Sequence, residues 1–301
     1  FQELQTINDK KGRIFQLVHL STSMCGKHRA DELALVKELL ETNDSQPLIC
    51  VSTQLIEAGV DLSFACVIRA MAGLDSILQA AGRCNRNGES IQPKKVYVFP
   101  MKDEKGLDNL KDIRVGKEIT DQLVREYPNT DLLSDSLLVE FYNRFFERLQ
   151  GEQHAMDYPM KSAKDGNAYD LLSTNRLAKE NYEKNRHEKK YAHCFAQAFR
   201  TVSDNFRLIP SSGHNVVVKY GSSEDLISQL NKEHIPQQKY KLLRRLQDYS
   251  VSLFDYEYER LLDQKAITIV NDTFGVEMLE GDYYNSQYGV VLEAKQSLLF
   301  I

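Results

Sequence analysis

Leu48-Ile49-Cys50-Val51-Ser52-Thr53-Gln54-Leu55-Ile56-Glu57-Ala58-Gly59-Val60-Asp61 opens on an unbroken apolar run and closes on small, polar and flexible residues. A strand with one wet face alternates apolar and polar side chains. A continuous apolar run instead reads as a strand covered on both faces, as in a parallel sheet flanked by helices. The run gives way to hydroxyls at Ser52 and Thr53, and the carboxyl ends of parallel strands are where open α/β sheets bind ligands. Thr53 can offer its hydroxyl to a phosphate, and Gly59 lets a backbone approach closely. Asp61 can hold an arginine or a ribose hydroxyl.

The same alternation extends to both sides. Upstream, Phe1–Ile7 reads as a helix end, Arg13–Leu20 as a strand and His28–Glu41 as a helix, which Asn43-Asp44-Ser45-Gln46-Pro47 breaks. Downstream, a short strand spans Ala65–Arg69, and Asp75 stands as the N-cap of a helix through Ile77–Ala81. Lys94–Pro100 is a closing strand. The order β-α-β-α-β predicts half of a doubly wound parallel sheet, an α/β fold. The downstream helix leads into Gln79-Ala80-Ala81-Gly82-Arg83-Cys84-Asn85-Arg86. On a helix, residues three apart share a face, so Arg83 and Arg86 can point at one anion together. A guanidinium is always charged, and its rigid fork of donors suits the oxygens of a triphosphate.

Ser52-Thr53 through Gly59-Val60-Asp61 resembles motif V of superfamily 2 helicases, and Gln79-x-x-Gly82-Arg83-x-x-Arg86 resembles motif VI. Their wording is similar to that of the CRISPR-associated helicase-nuclease of type I systems. His19-Leu20-Ser21-Thr22-Ser23-Met24-Cys25 with Arg29 resembles that family's segment around motif IV, with a flavour of subtype I-C. These motifs cover about the first third of the chain. The resemblance implies a second RecA-like lobe lacking its first strand (1–150, with appended helices), a helical linker (151–204) and a small mixed α+β C-terminal domain (205–301). It implies ATP with Mg2+ shared with a first lobe that this chain lacks. Gly59, Asp61, Gly82, Arg83 and Arg86 would lie against the nucleotide, Arg86 as arginine finger and Arg83 as a supporting γ-phosphate contact, with Gln79 near the nucleotide or coupling it to DNA. Ser21, Thr22, Arg29, Ser52 and Thr53 would hold the backbone of single-stranded DNA, moved 3′ to 5′. The implied partners are the Cascade surveillance complex, the first lobe and HD nuclease domain of the same protein, and an anti-CRISPR inhibitor. Two other readings stay open: a superfamily 2 repair or RNA helicase outside CRISPR, and a separately made, non-catalytic module that binds Cascade.

The formal charge of −5 over 301 residues provides no global positive field toward nucleic acid, so DNA contact must come from local groups. Five cysteines without a C-x-x-C pair argue against a disulfide framework or zinc site, and fit a reducing cytoplasm. No run is long and apolar enough to predict a membrane span. No phosphate loop of the form Gly-x-x-x-x-Gly-Lys-Ser/Thr occurs, and Asp31-Glu32-Leu33-Ala34 reads as first-turn acids of a helix rather than a magnesium-binding box. The seven histidines suggest no metal site; His187 and His193 do not share a helix face. The chain by itself is therefore expected not to hydrolyse ATP.

Beyond residue 106 the pattern is helical. Leu107–Tyr127 and Ser134–Leu149 each carry an apolar stripe, the second with Leu137, Leu138, Phe141, Tyr142, Phe145, Phe146 and Leu149. Asn175–Arg200 predicts one long, locally basic helix. Strands are expected at Asn205–Pro210, Val216–Tyr220, Asp248–Phe254, Ala266–Val270, Phe274–Leu279 and Val290–Leu292. Helices are expected at Asp225–Lys232, Pro236–Leu246 and Asp255–Leu262. Lys241, Arg244 and Arg245 can share one helix face and neutralise DNA phosphates, and Tyr283, Tyr284 and Tyr288 are candidates for base stacking or for packing.

Overall fold

In the computed structural model, Gln16–Leu20 (β1, after helix α1, Gln2–Lys10) and Leu48–Ser52 (β2) form a parallel pair, in register from Gln16↔Leu48 to Leu20↔Ser52. Gly26–Glu41 (α2) makes the crossover. The structure describes residues 1–42, 46–57, 59–88, 90–101, 111–151, 158, 167–186, 197–206 and 213–294. Val67–Ala70 (β3) and Val96–Phe99 (β4) form a second parallel pair, joined through Leu74–Ala81 (α3). The expected alternation is present, but among the described residues the strands hydrogen-bond as two separate pairs rather than one sheet. An isolated parallel bridge, Phe64↔Cys84, stands beside them. Accordingly β2 is half-buried along its whole length, not covered on both faces. Val18, Val36 and Leu62 form the core between α2 and the first pair.

The helical segment follows as Lys111–Glu126 (α4), Asp135–Gly151 (α5), Ala168–Leu172 (α6), Arg176–Arg186 (α7) and Phe199–Asn205 (α8). Val115, Ile119 and Leu123 of α4 pack on Leu137 and Phe141 of α5, with Leu74 completing the cluster. The expected single helix to Arg200 is interrupted: Gln197 and Ala198 are not helical, and α8 begins anew after them. Asn205 ends that helix, not begins a strand; residues 207–210 lie outside the described residues, as do Lys189, Lys190, His187 and His193.

The last part forms a mixed four-stranded sheet. Its elements are His214–Val218 (β5), Ser223–Lys232 (α9), Pro236–Leu246 (α10), Ser250–Leu253 (β6), Asp255–Asp263 (α11), Ile267–Asn271 (β7) and Val276–Leu279 (β8). The strand order is β6-β5-β8-β7, with β5 parallel to β8 and the other pairings antiparallel. Tyr284–Asn285 (β9) and Gly289–Val290 (β10) add a small hairpin. One face of the sheet packs on α9 and α10 through Val217, Leu226, Leu230, Leu246 and Met278. The other face buries Val216, Val218, Val251 and Leu279 with Leu261, Cys25 and Tyr284.

The chain divides into two units: residues 1–70, 76–99 and 212–301 form one, residues 71–75 and 100–211 the other. No helix of the described residues is long and apolar enough to cross a membrane.

Candidate nucleotide and nucleic-acid site

The carboxyl ends of β1 and β2 lie side by side, tied by Thr53 N–H donating to Leu20 O at 3.2 Å. This brings Ser21, Thr22, Ser52 and Thr53 together, as strand register requires. Their side chains differ in what they can offer. Thr22 and Thr53 are exposed. Ser21 is buried, and its hydroxyl accepts Ser23 N–H at 3.2 Å; Ser52 donates to Thr53 O at 2.9 Å. Both serines therefore shape the loop ends. Arg29, on α2, is half-buried and donates through Nη1 to Met24 O at 2.6 Å. Thr22 and Arg29 line one end of a cleft of about 690 Å3 that continues over Asn215, Gln247, Ser250 and Ser252.

After β2 the chain makes a short 3-10 turn, Gln54–Ile56, and reaches Gly59 at φ +75°. An L side chain there sits in the left-handed region at a steric cost, whereas glycine is free to adopt it. Asp61 follows, its side chain 81% exposed, and accepts from Arg86 Nε at 2.8 Å.

Arg83 and Arg86 do not share a helix face. Helix α3 ends at Ala81, Gly82 and Arg83 turn away from it, and Asn85 takes φ +56°. Asn85 holds this turn by exchanging hydrogen bonds with Ser90 at 2.8 and 2.9 Å. The helical spacing argument therefore fails already at Arg83, two residues past the end of α3. Arg83 is buried and faces its own backbone, Nε donating to Ile56 O and Nη2 to Glu57 O, each at 2.8 Å, while Nη1 has no partner among the described residues. Arg86 stays at the surface beside Asp61, its backbone N–H held by Ser63 Oγ at 3.1 Å. Gln79 and Gly82 are exposed. Asp75 lies in the first turn of α3, which begins one residue earlier, and is not its N-cap.

Sequence reasoning did not anticipate Glu57, which is buried and ion-paired to Arg69 on β3. Ser76 on α3 donates to the other Glu57 oxygen at 2.9 Å and accepts from Arg69 Nη2 at 2.5 Å. Burial of a carboxylate requires such partners. The only sequence signal was an acid inside an otherwise apolar turn. Asp31 and Glu32 lie in the second turn of α2, not the first: Asp31 pairs with Lys27 and Tyr220, and Glu32 lies 3.7 Å from His28.

Lys241, Arg244 and Arg245 are exposed on α10, with Leu242 and Leu246 turned into the core. Tyr284 is buried, and Tyr283 is partly buried against the same core. Tyr288 donates to Gln5 Oε1 at 2.7 Å. These tyrosines pack rather than present faces for stacking. Among the described residues no cluster of His, Cys, Asp or Glu could hold a metal ion.

The segment that carries these loop ends and this arginine turn is similar to a family of CRISPR-associated nuclease/helicases. Residues 1–89 match the family described as "CRISPR-associated nuclease/helicase Cas3, C-terminal". Over that segment the chain is similar to the C-terminal part of Cas3-type proteins. It is 49% identical over 65 residues to the CRISPR-associated nuclease/helicase Cas3 of Haloferax volcanii, a match covering 21% of this chain and 7% of that protein. The crystal structure of T. fusca Cas3 superposes with a TM-score of 0.50 at 13% identity, covering 84% of this chain and 30% of that one. A chain of the structure described as "CRISPR RNA-guided surveillance complex, pre-nicking" matches with a TM-score of 0.50 at 13% identity, covering 93% and 36%. The chain thus spans well under half the length of these relatives.

Proposed function

We propose that this chain is the second motor lobe and C-terminal domain of an ATP-dependent superfamily 2 helicase that translocates 3′ to 5′ on single-stranded DNA. In this reading residues 1–99 form a RecA-like lobe. ATP with Mg2+ would supply the phosphoryl group whose transfer drives each step, gripped mainly by a first lobe. This chain's residues fit one side of such a nucleotide: an exposed guanidinium at Arg86, a carboxylate at Asp61, and Gly59 with open space beyond its α-carbon. Arg86 carries the reading. Its ion pair with exposed Asp61 is of the kind worth at most about 1 kcal/mol, so the guanidinium can leave it for triphosphate oxygens. Arg83 acts from behind, fixing the turn that aims Arg86, rather than touching the γ-phosphate. Thr22 and Thr53 would bind the sugar-phosphate backbone without reading sequence, and Lys241, Arg244 and Arg245 would add salt-dependent phosphate contacts.

In the complete protein this motor would serve an HD nuclease domain and act on DNA presented by a Cascade-type complex. Support comes from the Cas3 family match and the likeness to a chain of the surveillance complex. Without a phosphate loop, the chain alone would turn over no ATP. The test is Arg86→Ala in the full-length protein. ATP turnover should fall by about a thousandfold or more, the usual value of an arginine finger, with affinity for single-stranded DNA held within about twofold, since phosphate contacts lie elsewhere. Unchanged turnover would overturn the assignment.

A further inference from the structure

Glu57 touches two sets of partners at once. Its carboxylate joins Arg69 on β3 and Ser76 on α3, while its carbonyl oxygen accepts from Arg83. The segment it belongs to begins at Thr53, beside Thr22, and ends at Asp61, beside Arg86. The chain after Asp61 is also fastened: Phe64 N–H donates to Arg83 O at 2.8 Å, Asn85 N–H to Phe64 O at 3.3 Å, and Arg86 N–H to Ser63 Oγ. Five bonds (two from the Arg83 side chain, two between backbones and one from a backbone N–H to the Ser63 hydroxyl) therefore tie Ile56, Glu57, Ser63 and Phe64 to residues 83–86. The Glu57 carboxylate anchors that bundle to β3 and α3.

We propose that Glu57, with Arg69 and Ser76, is a positioning residue that holds the arginine turn at the angle from which Arg86 meets the nucleotide. It also passes movement of Thr53 on the DNA to that turn. This rests on the motor reading above. Glu57 is 8% exposed, its carboxylate turned onto Arg69 and Ser76. Its effect is geometric: the buried ion pair fixes one conformation of the 54–57 turn, and a buried pair that loses one charge cannot be replaced by water without rearrangement. Misplacing a reacting group by about an ångström costs on the order of a hundredfold in rate. An arginine aimed from a loosened turn should therefore lose turnover, while the exposed groups that grip nucleotide and DNA remain.

Glu57→Gln in the full-length protein tests this, with Ser76→Ala as the milder variant that removes one hydroxyl and keeps the ion pair. The readouts are kcat and KM for ATP with saturating single-stranded DNA, and DNA affinity. Glu57→Gln should lower DNA-stimulated kcat by about ten- to a hundredfold, and Ser76→Ala by a smaller factor, while KM and DNA affinity stay within about twofold. A structural role alone would reduce the active fraction, so both variants would keep the wild-type response of turnover to DNA. That outcome, or an unchanged kcat, refutes the proposal. If Glu57→Gln does not fold, Ser76→Ala decides by the same criterion. Arg86→Ala is run alongside. Full turnover in Arg86→Ala sinks the motor reading; a dead Arg86→Ala beside a normal Glu57→Gln sinks only the role given to Glu57.

Discussion

Arg83 and Arg86 carry the same side chain three residues apart and do opposite work. Arg83 is 6% exposed and spends two nitrogens on carbonyls, so its removal strips Ile56 O and Glu57 O of charge-assisted donors. Hydrogen bonds to charged groups contribute about 1.5–3 kcal/mol each, and buried acceptors left unpaired are costly. Arg83→Ala should therefore destabilise the chain by about 3 kcal/mol or more. Arg86→Ala removes only an exposed pair and should cost at most about 1 kcal/mol. Denaturant unfolding of the chain with each substitution compares the two; equal losses would contradict the division of roles. Cysteines give an independent check on β2. Burial pushes the Cys50 thiol up to about 12, so at pH 8 only about one molecule in ten thousand carries the reactive thiolate. Cys66 is exposed. Alkylation at pH 8, read by peptide mass mapping, should mark Cys66 well before Cys50, and Cys50 should respond only as pH approaches 12.

At the scale of elements, helix α5 presents an apolar stripe wider than the surface it meets. Leu137 and Phe141 are buried against α4, whereas Tyr142 and Phe146 lie outward, stacked on each other at a 6.1 Å centroid separation. Phe141 is 1% exposed and sits where the α-carbons of Gly73 and Gly116 come together, an added Cβ on Gly116 falling 3.1 Å from the Gly73 α-carbon. Phe141→Ala should cost about 3–5 kcal/mol, and Phe146→Ala well under 1 kcal/mol; thermal unfolding of both variants would show it. The stripe itself was legible because helix periodicity is local. So were most strands, including the long apolar β2, and the hydroxyls gathered at the carboxyl ends of β1 and β2. Which residues of the stripe meet a partner was not legible, since that depends on helices elsewhere in the chain. The end of α3 was lost for a similar reason. Nothing in Gly82-Arg83-Cys84-Asn85 forbids another helical turn, and what stops it is Asn85 bonding forward to Ser90 and Arg83 bonding back to residues 56 and 57. Glu57 escaped notice because its partners lie 12 and 19 residues away on two other elements.

Over the whole molecule, the contacts least visible in sequence fasten residues near position 25 to residues near position 285. The Tyr284 hydroxyl accepts Cys25 N–H at 3.1 Å and lies 2.8 Å from His28 Nδ1, to which it can donate. Val290 N–H donates to Ser23 O at 2.8 Å, and Gly289, at φ +83°, passes so close that an added Cβ would fall 2.1 Å from that same oxygen. His28 stacks on Tyr220, whose hydroxyl donates to Asp31 at 3.0 Å. The mixed sheet is thus bonded to the N-terminus of α2, close behind Thr22, and belongs to the same unit. Two measurements follow. Tyr284→Phe leaves Cys25 N–H and His28 Nδ1 buried without that partner and should cost about 2–3 kcal/mol, seen as a lower unfolding midpoint in urea. Acid should loosen the same joint from the Asp31 side. The Lys27 ammonium bonded to Asp31, joined by the Tyr220 hydroxyl, holds that carboxyl below its ordinary value of 3.8. A carboxyl with a depressed folded pKa binds its proton less readily folded than unfolded, so its contribution is complete above pH 3.8 and disappears as pH falls through the lower folded value. The melting temperature should drop below about pH 4 more steeply in the parent than in Asp31→Asn, which has no proton to take up there. Parallel curves for the two would mean that Asp31 does not contribute to holding the sheet to α2.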